Sequence, residues 1–538
     1  MARKARRGDS APSSSTFASK QAKPAPDNVV LAQVLEHYAQ ELEKERANPY
    51  RVRAYRKAAK SIGRHPRSLG QMVDSGQPLT SLPNVGPHLE SLLVEVLRTG
   101  KVPKLKRDKP GSHRHHDGEA KASRAGRTRQ GTFIRPILAP FVEALMKDLR
   151  RFPGVASVEP AGAYRRRADV VEDLDLVAAC KEPGKTMRAW AKGLALPAAA
   201  DLTSTTVRMT TRDKLPVAVR FATPAQMGRA LLESTGSQAH VAQLRGLAKA
   251  QRRRWPPAAG EAACYEALGL AFIEPELREG EGEVEAAREG RLPDLVTLAD
   301  LKGDLHMHTY ATDGASSVEA MAKASRHRGL SYVAITDHTQ RTSIAGGLTP
   351  DEMRKHLAHI AEVNDQAKAE RWGITILKGA EVDILRHGLD LPDDVLDELD
   401  LVVCSLHHRD RQEGPELTRR TLEAMEHPCA HILGHPTGRM LGRRPPMDLD
   451  WDKLLDAALD QGWALEVDGQ AYRMDPPHPI IRRAAALGIP FSLSSDAHSV
   501  PEMQFQENAV QQARRGWVAK GQVLNAGTLR EMKARLRR

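Results

Sequence analysis

The chain has 538 residues, 41% of them apolar, which is enough for about three or four domains with separate cores. No run of about 18 apolar residues and no signal-peptide core occurs, and four scattered cysteines (Cys180, Cys264, Cys404, Cys429) form no Cys-x-x-Cys pair. A cytoplasmic protein with neither membrane span nor disulfide framework is therefore expected. The net charge of +12 is uneven: residues 1–135 hold 27 Lys and Arg against 12 Asp and Glu, leaving 53 against 56 for the rest. Such a basic front would follow a phosphate backbone, or merely solvate a surface.

Residues 1–27 mix Ser, Pro, Ala and Lys, which bury too little to offset ordering entropy, so a disordered basic tail is predicted. Val30, Leu31, Val34, Leu35, Tyr38 and Leu42 then keep a helical period, and Pro49 to Ile62 gives a second amphipathic helix carrying Arg51, Arg53, Arg56 and Lys57. Leu82-Pro83-Asn84-Val85-Gly86-Pro87-His88, followed by a helical stretch from Leu89 to Leu97, resembles a helix-hairpin-helix motif. In it Asn84 replaces the usual first glycine, since Asn is the next most tolerant of positive φ. The resemblance implies DNA contacts at Asn84, Val85, Gly86 and His88, with Arg53, Arg56 and Lys57 nearby. A hairpin that only packs is the alternative. Residues 28–100 form this small helical domain, and 101–131 are a basic linker whose His113, His115 and His116 read as solvated.

The mixed α/β region 132–292 contains Gly162-Ala163-Tyr164-Arg165-Arg166 and Asp173-Leu174-Asp175-Leu176, then Thr235-Gly236-Ser237 with His240, and Glu274 to Glu279. These segments resemble the nucleotidyltransferase palm of family X DNA polymerases. That implies Mg²⁺ between Asp173 and Asp175, and nucleotide contacts at Gly162 and Arg165. Three positions depart from the family pattern: Ala163 replaces a serine, Ala218 replaces the third metal carboxylate, and Leu92 replaces the lyase lysine. A weak or inactive polymerase core is expected, with an active one as the alternative.

In residues 293–538, strands alternate with helical patterns at Glu319–Arg328, Asp351–Ala369, Glu416–Glu426, Trp451–Leu459 and Pro479–Leu487, which points to a parallel α/β barrel. His306 and His308 share one side of a strand end. Further apolar runs lead into His338, Glu381 and Asp383, His407, His435, and Asp496 with His498. Parallel barrel strands end at one mouth, so ligands spread over some 190 residues would meet there, together with Asp313. His327, His356 and His359 lie within helical patterns and are assigned to the surface.

From about Leu301 to Ala509 these residues resemble the polymerase and histidinol phosphatase (PHP) family. The fold implied is multidomain α/β, ending in a distorted (β/α)7 barrel. The family's ligand set maps onto His306, His308, Asp313, His338, Glu381, His407, His435, Asp496 and His498, with Glu381 bridging and three divalent ions, Zn²⁺ or Mn²⁺, held. Glu381 and Asp496 are also expected to serve catalysis. Arg439 is a candidate phosphate-orienting cation by its fork geometry, or a rim ion pair. Glu466, Asp468 and Arg473 follow the family pattern, except that Asp468 stands where Asn is usual. The expected activity is metal-dependent 3′-5′ exonuclease or 3′-end processing on single-stranded or gapped DNA, by a monomer. A histidinol-phosphatase-like monoesterase and a silent DNA-binding protein are the competing readings.

Overall fold

Apolar residues spaced three and four apart close the front of the chain into four helices: α1 (Pro26–Lys44), α2 (Pro49–Gly63), α3 (Leu69–Asp74) and α4 (Pro87–Thr99). The structure, a computed structural model, describes residues 26–44, 49–99 except 64, 66, 76, 78, 80, 81, 83, 84 and 86, then 127–128, 131–193, 201–253, 258–409 and 412–536. Residues 1–25, most of the linker with His113, His115 and His116, Asn84, Gly86, and the side chains of Arg53 and His88 lie outside the described residues. The chain divides into two compact units, Met1–His115 and His116–Arg538.

In the first unit Leu35, Tyr38, Tyr55, Ile62, Leu69 and Leu93 form one buried cluster. Buried Asn28 ties α1 to the turn before α3: its amide donates to the carbonyls of His65 (3.0 Å) and Arg67 (2.7 Å), and its carbonyl accepts from the Leu69 N–H (2.9 Å). Val85 is committed to this packing. Its side chain is buried and its N–H donates to Leu82 O (3.2 Å). Arg56 pairs with Glu36 at 3.2 Å, and Lys57 is exposed.

The second unit begins with β1 (Phe133–Ile134), β2 (Val155–Pro160), β3 (Val170–Val171), β4 (Leu174–Cys180), β5 (Asp201–Leu202), β6 (Thr206–Thr210) and β7 (Pro216–Ala222). Here β1 pairs with β3, while β2-β4-β7-β6-β5 form a mixed five-stranded sheet in which only β4 and β7 are parallel. Its register sets Asp175, Ala218 and Arg208 in one row across three strands.

The barrel strands are β8 (Gly303–Asp304), β9 (Tyr332–Ile335), β10 (Thr375–Asp383), β11 (Leu401–Ser405), β12 (Ile432–Leu433), β13 (Ala464–Asp468) and β14 (Phe491–Ser494). All are parallel and neighbours follow chain order. β9, β11, β13 and β14 are buried at every position, as strands covered on both faces must be. Closure is by backbone beyond the strand ends: Met307 and Ala497 form a parallel bridge, and the His308 N–H donates to Ala497 O (2.9 Å). The connecting helices start at side-chain caps such as Ser317, and Thr349 with Glu352, and two end at left-handed Gly462 and Gly488. Among the described residues no helix is long and apolar enough to cross a membrane.

Palm and barrel meet within this unit through buried charge. Asp169, just before β3, accepts from Arg439 at 2.7 Å and from Arg515 at 3.0 Å. Around this seam Arg514 pairs with Glu276 (2.8 Å), and Arg482 with Glu281 (2.7 Å).

Candidate metal centre

Every barrel strand delivers a polar side chain to the same mouth. Glu381 is the hub and lies on β10 itself, two residues before its end, because the strand outlasts the apolar run that announces it in the sequence. Its Oε1 accepts from His435 Nε2 at 2.7 Å and lies 3.2 Å from His407 Nε2. Its Oε2 lies 2.7 Å from His338 Nδ1, 3.6 Å from His306 Nε2 and 3.7 Å from His308 Nε2. Asp496 adds contacts to His308 (3.1 Å) and His306 (3.7 Å), and Asp313 approaches His498 (3.4 Å) and His338 (3.6 Å). All nine residues expected as ligands are thus brought together.

Three subsets have one ligand atom per residue within 4.8 Å of one another: His308, Asp313, His338 and His498; His306, His308 and Glu381; and His338, Glu381 and His407. A cation fits this geometry better than hydrogen bonding does. His306 Nε2, His308 Nδ1, His338 Nδ1, Asp313 Oδ1 and Glu381 Oε2 are buried and make no hydrogen bond, although His338 Nδ1 and Glu381 Oε2 are in close approach. Mixed imidazole and carboxylate donors suit Zn²⁺ or Mn²⁺ better than Mg²⁺.

A second layer of carboxylates orients the imidazoles. Glu466 accepts the His306 Nδ1–H at 2.7 Å and the His435 backbone N–H at 2.6 Å, and Asp383 accepts from His407 Nδ1 at 3.0 Å. The two ring bonds fix the tautomers of His306 and His407 and leave Nε2 turned inward, while the backbone bond holds His435 in place. The His498 Nδ1–H is held by Asp496 O at 2.9 Å. Asp337 fixes the loop carrying Asp313, accepting the Thr309 N–H (2.8 Å), the Thr309 hydroxyl (2.6 Å) and the Thr312 hydroxyl. Two of the nine residues have left-handed backbones, His435 at φ 25° and Asp496 at φ 48°, a strain that the surrounding hydrogen bonds overcome.

Protonation follows from this crowding. Burial opposes charge throughout, yet Glu466 and Glu381 hold His306 well above its ordinary range, and Glu381 and Asp313 do so for His338. Against the same burial, Glu381 raises His407 to about 9, and Asp313 raises His498 to about 10. His308 is pushed down to about 4 by burial and by the charges of His498 and His338. Glu381 is held well below the usual carboxylate range, despite its burial, by His407, His338 and His306.

Three sequence expectations need correction. Arg439 does not face the centre: its guanidinium is spent on Asp169, on Arg473 O at 3.0 Å and on Met474 O, so it is the rim ion pair. The cation at the mouth is Arg473, with Nε 3.5 Å from both Asp496 and Asp468. Arg165, expected to contact a nucleotide, is instead held by Glu261 (2.6 and 2.9 Å) and Thr235 (2.9 Å). His356 is buried, not a surface residue; it lies 2.8 Å from Asp337 and joins the support of the Asp313 loop. His327 and His359 are exposed as expected.

The structural roles of Asp337 and Glu466 were not assigned from sequence. The available signal is position: Asp337 precedes His338 and Glu466 lies on β13, the strand for which no ligand was assigned. In the palm, Asp173 and Asp175 share the strand start, and burial together with Asp173 pushes Asp175 up to about 6. A Cβ at Gly162, where φ is +60°, would come within 2.6 Å of Asp175 Oδ2, so only glycine lets that helix start sit against the carboxylate.

Comparison with known proteins gives two family matches: residues 26–102 to a helix-hairpin-helix domain, and residues 304–468 to a PHP domain. The DNA polymerase/3′-5′ exonuclease PolX of Bacillus subtilis is 30% identical, covering 94% of this chain and 99% of that protein. A probable phosphatase of Syntrophotalea carbinolica is 30% identical over 41% of this chain and 90% of its own length. One from Thermoanaerobacter is 27% identical over 41% of this chain and 89% of its own length.

Proposed function

The chain belongs to the PolX family, and from that premise we propose that it trims or cleans 3′ ends of single-stranded or gapped DNA by metal-dependent hydrolysis at the barrel mouth. The observation carrying this is the convergence of nine ligand-type side chains at the barrel mouth, with Glu381 as their hub. This is an enzyme of metal-dependent phosphoesterase type.

Divalent ions, three by the ligand set, would lower the pKa of a water and neutralise the phosphate and the departing alkoxide. The chain's own residues do the rest. His306, His308, Asp313, His338, Glu381, His407, His435, Asp496 and His498 would hold the ions, with Glu381 as the central carboxylate. Glu466 and Asp383 keep His306 and His407 in the ligating tautomer. Arg473, in place of Arg439, offers its guanidinium to the phosphate oxygens. No serine or cysteine nucleophile is required.

The front unit would supply DNA affinity through Asn84, Val85, Gly86 and His88 and through Arg53, Arg56 and Lys57, a reading supported by the helix-hairpin-helix match. The palm holds DNA but extends it weakly or not at all: Ala218 sits beside Asp175 in register, where a third carboxylate would complete a two-metal site, and the next residue in the row is Arg208. The working domain division is 1–27, 28–100, 101–131, 132–292 and 293–538. It is supported by buried clusters whose members fall within 31–97, 133–231 and 296–536, while a further cluster from Leu232 to Leu295 also packs against Trp517 of the barrel. The enzyme acts as a monomer in the cytoplasm, where its free cysteines stay reduced.

The test is purified protein with Mn²⁺ and 3′-labelled single-stranded DNA, beside its His306→Ala variant. Label release by the parent alone is expected, and equal release by both ends the nuclease reading. The matches to probable phosphatases over the barrel favour a second reading, a small-ester phosphatase. That reading predicts equal turnover of a small phosphate ester and no DNA product, whether or not residues 1–115 are removed.

A further inference from the structure

Three loops leave consecutive strands around the closed barrel, after β14, β8 and β9, and each exposes an apolar side chain just beyond its ligand. These are Val500 (36% exposed), two residues after His498; Tyr310 (41%), two residues after His308; and Ile344 (84%), six residues after His338. Single apolar side chains scattered on a surface need no explanation. These three lie on neighbouring loops that all leave the mouth end of the barrel.

Their backbones are pinned. The Tyr310 N–H donates to Ser316 O (3.0 Å) and the Val500 N–H to Ser316 Oγ (3.4 Å), so Tyr310 and Val500 flank one residue. On either side of Tyr310, Thr309 and Thr312 are bonded to buried Asp337. Ile344 sits at the tip of a loop closed by the Leu348 N–H to His338 O bond (2.8 Å), with Thr342 bonded to Asp383. A rigid loop that presents an aromatic face two residues from a metal ligand is prepared to receive a flat apolar group. In a phosphodiester substrate that group is the nucleobase beside the scissile phosphate.

We propose that Tyr310, flanked by Val500 and Ile344, is a base-stacking platform that makes the centre select a nucleotide end over a bare phosphate ester. This rests on the end-processing reading and specifies how that site recognises its substrate. Tyr310 is a specificity-determining residue and takes no part in bond cleavage.

The experiment uses the full chain with Mn²⁺ and 5′-labelled oligonucleotides of one sequence, ending 3′ either in ordinary nucleotides or in two abasic residues. The parent is expected to favour the ordinary end by about 5- to 150-fold in kcat/KM, the range of one stacked base. In Tyr310→Ala this preference falls toward one through a raised KM for the ordinary end, with metal content per chain unchanged, and Tyr310→Phe restores it. A parent indifferent to the bases, or a Tyr310→Ala variant that slows both ends equally, overturns the platform. A parent that cleaves neither oligonucleotide but hydrolyses p-nitrophenyl phosphate overturns the end-processing reading itself, and the platform with it.

Discussion

Glu381 faces five imidazoles at once, so no other side chain at the mouth is as costly to neutralise. Glu381→Gln is expected to lower bound metal and to reduce hydrolysis by more than the roughly 100-fold that bounds the loss of an orienting partner, checked by metal analysis and turnover together. Glu466→Gln, which removes such a partner from His306, should cost about 10- to 100-fold in metal affinity or rate. The raised imidazoles give a pH dependence whose sign is fixed. His407 and His498 keep protons up to about 9 and about 10, and a cation must displace them, so Mn²⁺ affinity rises with pH through that window and each binding event releases protons. Calorimetry in buffers of different ionisation enthalpy would detect the release, and an affinity flat with pH would contradict it.

At the scale of elements, the three strands β4, β7 and β6 decide what the palm can do. A side chain on β7 opposite Asp175 would complete a metal site, and alanine there leaves two carboxylates with Arg208 across the gap. Ala218→Asp is therefore expected to raise Mg²⁺-dependent primer extension at least about tenfold, read on a gapped template. Asp175 also marks the sheet's electrostatic cost. Its carboxyl ionises at about 6 in the fold, against 3.8 ordinarily, so it is protonated in both states at low pH. As pH rises between those values the unfolded chain loses its proton first, and folding stability falls. Asp175→Asn should raise Tm by a few degrees at about pH 7.5 without Mg²⁺, and change little near pH 4. A lower Tm at the higher pH would refute this.

Within the second unit, the palm and barrel are joined by buried ion pairs centred on Asp169. Arg439 and Arg515 hold that carboxyl below its ordinary value of 3.8 against its burial, so the stability it contributes is present above that value and lost as pH falls through the lower one. Asp169→Ala leaves two guanidinium groups without their shared carboxylate and is expected to cost about 3–5 kcal/mol of stability in denaturant unfolding. Through Arg439, whose guanidinium also holds the carbonyls of Arg473 and Met474, the same change should loosen the loop that brings Arg473 to the mouth.

The barrel and the gathering of its candidate ligands at one mouth were legible in the sequence because they depend on local signals: an apolar run makes a buried strand, and the residues that follow it stand at the mouth. Tyr332–Ile335 and Phe491–Ser494 begin and end where those runs do, and the nine ligand positions are spaced by the strands and helices between them. The departures at Ala163 and Ala218 were equally visible, since a missing functional group needs no coordinates to be noticed. Only the tertiary structure decided which charges meet. Arg439 and Arg473 are both arginines near one ligand loop, and their assignment depends on a palm carboxylate 270 residues from Arg439 in the chain. The burial of His356 against Asp337, and the left-handed backbones of His435 and Asp496, likewise arise from contacts between distant segments, which periodicity along the chain does not encode.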